Sequence, residues 1–166
     1  AISLILERLP ATLELTIFAL LIAIIIGIPL GVIAGLNPNN FISKLILSIS
    51  IFFFSLPTFW VGLIMIMIFS VSLNIFPSTG RGEVVDFLGY KLSFLTLDGL
   101  RHLILPSINL ALYPLALVIR MTFAGIQETL PLDFIKFAKS KGLSNFRIIT
   151  FHLLKYILVP IITVIG

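Results

Sequence analysis

Cysteine is absent from the 166 residues, so the chain has no disulfide and no thiolate for catalysis or soft-metal binding. Charge is scarce as well. Asp, Glu, Lys and Arg make up 11% of residues, against about 25% in an average soluble domain. A water-soluble fold of this size has too much surface to cover with so few polar groups. A disordered chain would need low hydrophobicity and high charge. A nucleic-acid-binding domain would need dense Lys/Arg, whereas here 11 basic residues face seven acidic ones for a net charge of +4. Histidine occurs only at His102 and His152, and no paired carboxylates share a helix face within an apolar run. No catalytic residue and no metal ligand set can therefore be assigned. The G-x-x-x-x-G-K-[ST] phosphate loop is also missing, so any ATP that drives this chain binds elsewhere.

What the chain has is apolar length. Hydrophobic residues make up 59% of it, and the mean hydropathy is +1.21. Leu15 to Ser43, Leu45 to Gly80 and His102 to Ile119 carry no Asp, Glu, Lys or Arg. Each run can cross a hydrocarbon core of about 30 Å. The fold class is therefore all-α integral membrane, a polytopic helical bundle in a single domain over 1–166. Spans are expected at about 12–36, 43–76 and 103–125, with another starting near 153. Thr12 suits an N-cap, which would put Glu14 in a first turn. Asn37-Pro38-Asn39-Asn40 is turn chemistry that ends the first span. Ser55-Leu56-Pro57 should break the second, which is too long for one straight crossing. Pro77 opens a polar loop lasting to about Arg101. Pro106 and Pro114 fall inside the third span.

Lys/Arg counts orient the chain. Arg120, Lys136, Lys139, Lys141, Arg147 and Lys155 make 120–155 the most basic stretch and the expected cytoplasmic side. The 77–101 loop is then external and Asn37 to Lys44 cytoplasmic. A start outside, without a signal peptide, and an unfinished last span suggest a truncated chain.

Gly27, Gly31 and Gly35 fall on one helix face, where small residues let another helix approach closely. Glu14 and Arg120 are the charges inside or beside the spans, each placed to snorkel to an interface or to serve function. Asn109 lies deeper, and either lines a polar path or bonds a neighbouring helix. Ser55 and Pro57, at the break, join Asn109 and Arg120 as candidates for the path or for structure.

The most informative segment is about 131–152. Asp133 suits the N-cap of a short helix. Gly142 can close that helix in the left-handed conformation, and Ser144 can cap the next. Phe134, Ile135, Phe137 and Ala138 gather on one side of the wheel, with Lys136 and Lys139 opposite. Periodicity alone favours a basic amphipathic helix lying on anionic lipid.

At these residues the chain resembles a known family. Lys136-Phe137-Ala138-x-x-x-Gly142 is similar to the E-A-A-x-x-x-G signature of binding-protein-dependent ABC importer permeases. Asp133-Phe134-Ile135-Lys136-Phe137-Ala138-Lys139-Ser140-Lys141-Gly142-Leu143-Ser144 resembles the form found in the dipeptide/oligopeptide/nickel class. Other blocks match in order. They are Arg8 to Leu15, Gly27-Ile28-Pro29-Leu30-Gly31, Ser55 to Leu63, Phe76-Pro77-Ser78-Thr79-Gly80, Leu105-Pro106 and His152 to Lys155. Lys136 and Phe137 depart from the general signature, and the later proline sits at Pro160 rather than earlier, as suits that class.

The resemblance implies a fragment lacking the family's first and last spans, in a multi-pass bacterial or archaeal cytoplasmic (inner) membrane protein. It implies half of a translocation path for a peptide or nickel chelate, not an enzyme. The implied partners are a second permease subunit, cytoplasmic ATPase subunits holding ATP and magnesium, an external solute-binding protein and the lipid bilayer, with no nucleic acid. Asp133, Phe134, Lys136, Phe137, Ala138, Lys141, Gly142 and Leu143 would form the coupling helix, with the apolar face, Ala138 included, entering the ATPase. The Gly27/Gly31/Gly35 face would meet the partner permease. A secondary transporter with broken helices, or a membrane assembly subunit that transports nothing, are the alternatives.

Overall fold

The computed structural model describes residues 2–87 and 89–165, and the side chains of 2–7, 145, 164 and 165 lie outside that description. Among the described residues the fold is all-α apart from one hairpin. In chain order the elements are α1 (Ile2–Leu36), α2 (Phe41–Ser55), α3 (Thr58–Met65), β1 (Val85–Phe87), β2 (Tyr90–Leu92), α4 (Leu97–Thr129), α5 (Asp133–Ser140), α6 (Asn145–Arg147) and α7 (Leu154–Ile165). Wider π-helical turns extend α3 over Ile66–Ser72 and lead into α7 over Ile148–Leu153. Arg8–Leu36 and Leu97–Thr129 are long and apolar enough to cross a membrane, and the helices flanking Leu56-Pro57 make a third if they count as one broken span.

The sequence placed the helices well and their ends less well. α1 does not begin at a Thr12 cap. It runs from Ile2 through Pro10, and the Thr12 hydroxyl donates to the Arg8 carbonyl at 3.2 Å inside the helix. Glu14 is therefore two turns or more into the helix rather than in its first turn. The turn at Asn37 forms as expected, with Asn40 N–H donating to the Asn37 carbonyl at 3.1 Å. The break at Pro57 also forms. Pro57 is extended (φ −62°, ψ 125°), and its carbonyl accepts from Trp60 and Val61 to start α3. The helix beyond it ends at Ser72 rather than near 76.

The polar loop holds a hairpin that the sequence reading did not foresee, pairing Val85 with Leu92, Asp86 with Lys91 and Phe87 with Tyr90. α4 begins six residues before the expected start. Thr96 caps it, its Oγ1 accepting from Gly99 N–H at 2.9 Å, and Asp98 sits in the first turn. The helix continues through Pro106 and Pro114 to Thr129.

Two compact units divide the chain: Ala1–Ile22 with Ser55–Tyr113, and Ala23–Phe54 with Pro114–Gly166. In the first, Glu14 is 5% exposed and does not snorkel. Its carboxylate accepts from Ser93 N–H at 2.7 Å, the Ser93 hydroxyl at 2.6 Å and Arg81 Nη2 at 3.2 Å. The same Arg81 Nη2 donates to the Lys91 carbonyl at 2.6 Å, so the carboxylate ties the hairpin loop to α1.

The second unit is built on glycine. A Cβ at Gly27 would lie 2.8 Å from Val118 Cγ1, one at Gly31 2.5 Å from Thr122 Cβ, and one at Gly35 2.8 Å from Ile126 Cβ. The stripe thus meets α4 of the same chain, which corrects the expectation that it faces a partner subunit. Gly125 repeats the device on α4, where a Cβ would come 2.9 Å from Ile157 of α7. Around these contacts Val118, Ile126, Ile135, Ala138, Ile148, Leu153, Ile157 and Ile161 form one buried cluster.

Candidate functional site

The basic segment forms the glycine corner read from its sequence. α5 spans Asp133–Ser140, its first residue preceded by an extended Leu132 (φ −68°, ψ 148°). Asp133 is not a side-chain cap. It lies in the first turn, where its charge suits the helix dipole, and its Oδ1 accepts from Lys136 Nζ at 3.1 Å. Both groups are well exposed, so this pair adds little stability.

The C-terminus closes as a Schellman motif. Leu143 N–H donates to the Ala138 carbonyl at 3.3 Å and Gly142 N–H to the Lys139 carbonyl at 3.0 Å. Gly142 holds φ +75°, and a Cβ there would meet nothing within 4 Å. The glycine is needed for backbone conformation, not for space. Leu143 packs on the buried cluster, as the residue after such a glycine commonly does. Ser144 then caps α6, its Oγ accepting from Arg147 N–H at 3.4 Å.

The apolar wheel face divides in two. Ile135 is fully buried and Ala138 6% exposed, both in the core of the second unit. Burying an Ile side chain stabilises by about 2 kcal/mol, so this pair anchors the helix to its own chain. Ala138 therefore does not belong to a face offered to a partner, which corrects the wheel reading. Phe134 and Phe137 remain 42% and 61% exposed. Phe134 leans on Tyr156 of α7 with ring centroids 6.3 Å apart, and Lys141 Nζ stands 4.6 Å from the Phe137 centroid. Lys136, Lys139 and Lys141 are exposed around them. The result is a short helix clamped along one edge, presenting two aromatic rings rimmed by lysines.

Of the candidates for a path, Ser55, Pro57 and Asn109 lie in the first unit. Asn109 faces Gly62 of α3, whose missing Cβ makes room for the carboxamide. Pro57 starts that helix, and Ser55 ends α2. Arg120 belongs to the other unit, where its guanidinium carbon lies 5.6 Å from the Phe54 ring centroid. Sequence reasoning missed Ile135 as the anchor of α5 and the Arg81 and Ser93 partners of Glu14. A lone acid in an apolar run was the signal for the latter, but its partners lie 67 and 79 residues away.

Residues 27–166 match the family described as binding-protein-dependent transport system inner membrane component. The chain is 40% identical over 169 residues to the di/tripeptide transport system permease protein DppB of Pseudomonas aeruginosa, covering 95% of this chain and 50% of that protein. It is 35% identical over 174 residues to the dipeptide transport system permease protein DppB of Escherichia coli K12, covering 96% and 51%. The corresponding protein of Bacillus subtilis is 36% identical over 162 residues, covering 97% and 47%. The chain thus spans about half the length of the curated relatives it matches.

Proposed function

This chain belongs to the family of binding-protein-dependent transport system inner membrane components, and from that membership we propose that it is part of the membrane-spanning subunit of an ATP-driven peptide importer. Its place would be the bacterial inner membrane, as half of a translocation path completed by a second permease subunit. An external binding protein would deliver the peptide, and ATPase subunits on the cytoplasmic side would supply the work. Support for the solute class comes from relatives named for di- and tripeptide transport. The chain itself catalyses no reaction on this reading.

The observation that carries the coupling role is the clamped helix α5. Ile135 and Ala138 fix it to the core, while Phe134 and Phe137 stand exposed beside three lysines. A rigid short helix with an apolar tip transmits a push from a partner without deforming, because its own anchor is close-packed. ATP-driven motion of the ATPases would move this helix and bias the spans between two arrangements.

The experiment is ATPase activity of the reconstituted full-length complex, with and without peptide-loaded binding protein. Phe137→Asp should leave insertion and assembly of the membrane subunit intact and abolish the stimulated part of the hydrolysis. Gly142→Val should do the same. The left-handed conformation costs a residue with a Cβ about 1–2 kcal/mol, and a β-branched one more. Full stimulation in both variants, with loss in Lys136→Ala/Lys139→Ala, would replace coupling with lipid-surface binding.

A further inference from the structure

A groove of about 550 Å³ lies in the first unit, between the first half of α1 and the β1–β2 hairpin. Leu9, Leu13, Ile17 and Leu21 line it from α1, a four-residue repeat that keeps them on one side of the helix. All four are exposed. Phe87, Tyr90 and Leu92 line it from the hairpin, and the strand register explains why. Phe87 pairs with Tyr90 and Val85 with Leu92, so these side chains share one face, while Asp86 and Lys91 pair on the other. Among the described residues Glu14 is the one charged group in the groove wall, and its carboxylate is already met by Ser93 and Arg81. The groove therefore offers apolar surface and nothing for a charged ligand to pair with. Contiguous exposed apolar surface of this kind marks contact with lipid or with another protein.

The bonds of Glu14 set the depth of the hairpin and decide between the two. The charge-free part of α1, from Leu15 to Leu36, is about 33 Å long at 1.5 Å per residue, against a hydrocarbon core of about 30 Å. Glu14 thus stands at one boundary of that core. Ser93, the residue after β2, donates to it from both its N–H and its hydroxyl, so the base of the hairpin sits at the same boundary. Phe94 reaches one turn further along the span, its ring centroid 6.1 Å from that of Phe18. Tyrosine, with an apolar ring and a polar tip, suits this depth. The α1 stripe passes the level of Glu14 without a polar break, from Leu13 to Ile17 and Leu21, so the groove is continuous with the surface that the span offers to hydrocarbon. We propose that phospholipid acyl chains fill this groove and that the hairpin is an interfacial anchor, with its Phe87–Tyr90 face in hydrocarbon and its Asp86–Lys91 face in water. Lipid contact then holds the 77–96 loop at a fixed depth beside α1, as the apolar face of an interfacial helix holds its own segment.

The test uses the full-length permease, with no cysteine other than the introduced one, assembled with its partner subunits in phospholipid vesicles. A nitroxide is attached at Tyr90→Cys, on the groove face of the hairpin, or at Lys91→Cys, on the other face. The readout is relaxation of the spin label by two colliding agents. Oxygen concentrates in hydrocarbon, and neutral nickel ethylenediaminediacetate stays in water. At Tyr90→Cys the oxygen effect should exceed the nickel effect several-fold, and at Lys91→Cys the order should reverse. Leu13→Cys, on the opposite wall, should behave as Tyr90→Cys does, and it gives the same answer if the hairpin variant does not assemble. A nickel effect that dominates at both groove positions would place the groove in water and overturn the proposal. Exclusion of both agents from both groove positions would overturn it too, because the cover would then be protein, either another segment of the full-length chain or a partner subunit. The same order of the two agents at Tyr90→Cys and Lys91→Cys would overturn the two-faced anchor. None of these outcomes touches the importer reading, which peptide uptake by the wild-type complex tests separately.

Discussion

Gly142 and Glu14 show opposite ways in which the structure constrains one residue. A Cβ added at Gly142 would meet nothing within 4 Å, yet φ +75° excludes most side chains. Gly142→Asn should therefore keep most activity, because asparagine tolerates the left-handed region, while Gly142→Val should not. Glu14 is constrained by its partners. Three donors converge on one carboxylate that is 5% exposed. Glu14→Ala leaves Ser93 and Arg81 without that acceptor, and an unsatisfied buried group costs about 1–3 kcal/mol. A lower melting temperature of the detergent-solubilised protein is the expected outcome, and an unchanged one would show that the loop is held by other contacts. Ala138→Asp should also destabilise, since it places a carboxylate inside the buried cluster. It should fail by low abundance in the membrane, whereas Phe137→Asp should fail by uncoupling a folded subunit. Immunoblotting alongside the ATPase assay separates the two.

At the scale of elements, three glycines of α1 meet Val118, Thr122 and Ile126 of α4, at the four-residue spacing that keeps both sets on facing ridges. Gly31 is the tightest, since a Cβ there would also lie 2.8 Å from the Ile119 carbonyl. Backbone cannot rotate away as a side chain can. Gly31→Leu should therefore force the two helices apart, at a cost above the ~1–3 kcal/mol typical of overpacking. Because the contact lies within one chain, the loss should appear when the subunit is expressed alone, as a broadened size-exclusion profile. A normal profile alone with failed assembly in the complex would restore the partner-facing expectation. Much at this scale was legible beforehand: the turn at Asn37, the break at Pro57 and the corner at Gly142. Each is set by residues adjacent in sequence. The start of α4 was legible too, in Thr96-Leu97-Asp98-Gly99, but the charged residues Asp98 and Arg101 masked it as loop.

For the whole molecule, the excess of Lys and Arg between Arg120 and Lys155 predicts an orientation. Ser140→Cys should react with an impermeant thiol reagent only after the cytoplasmic face is opened, and Glu83→Cys should react in intact cells. Ser140 and Glu83 are both exposed, so access is not the limiting factor. Labelling of Ser140→Cys from outside would invert the orientation, and with it the assignment of α5 to the ATPase side.

Composition and order alone determined that this is a multi-pass helical membrane protein, where its helices break and that its basic segment turns on a glycine. Hydropathy, proline and positive φ act over a few neighbouring residues, so they can be read along a line. Tertiary structure decided what covers each face. Periodicity placed Ile135, Ala138, Phe134 and Phe137 together, but only the packing against Ile148, Leu153 and Ile157 turns the first two inward and leaves the aromatic rings outside. The same holds for the glycine stripe, which close approach alone could have assigned to any helix, and for Glu14, whose partners come from a loop far along the chain. A face or a charge states a need for burial or pairing, and the chain must fold before anything can meet it.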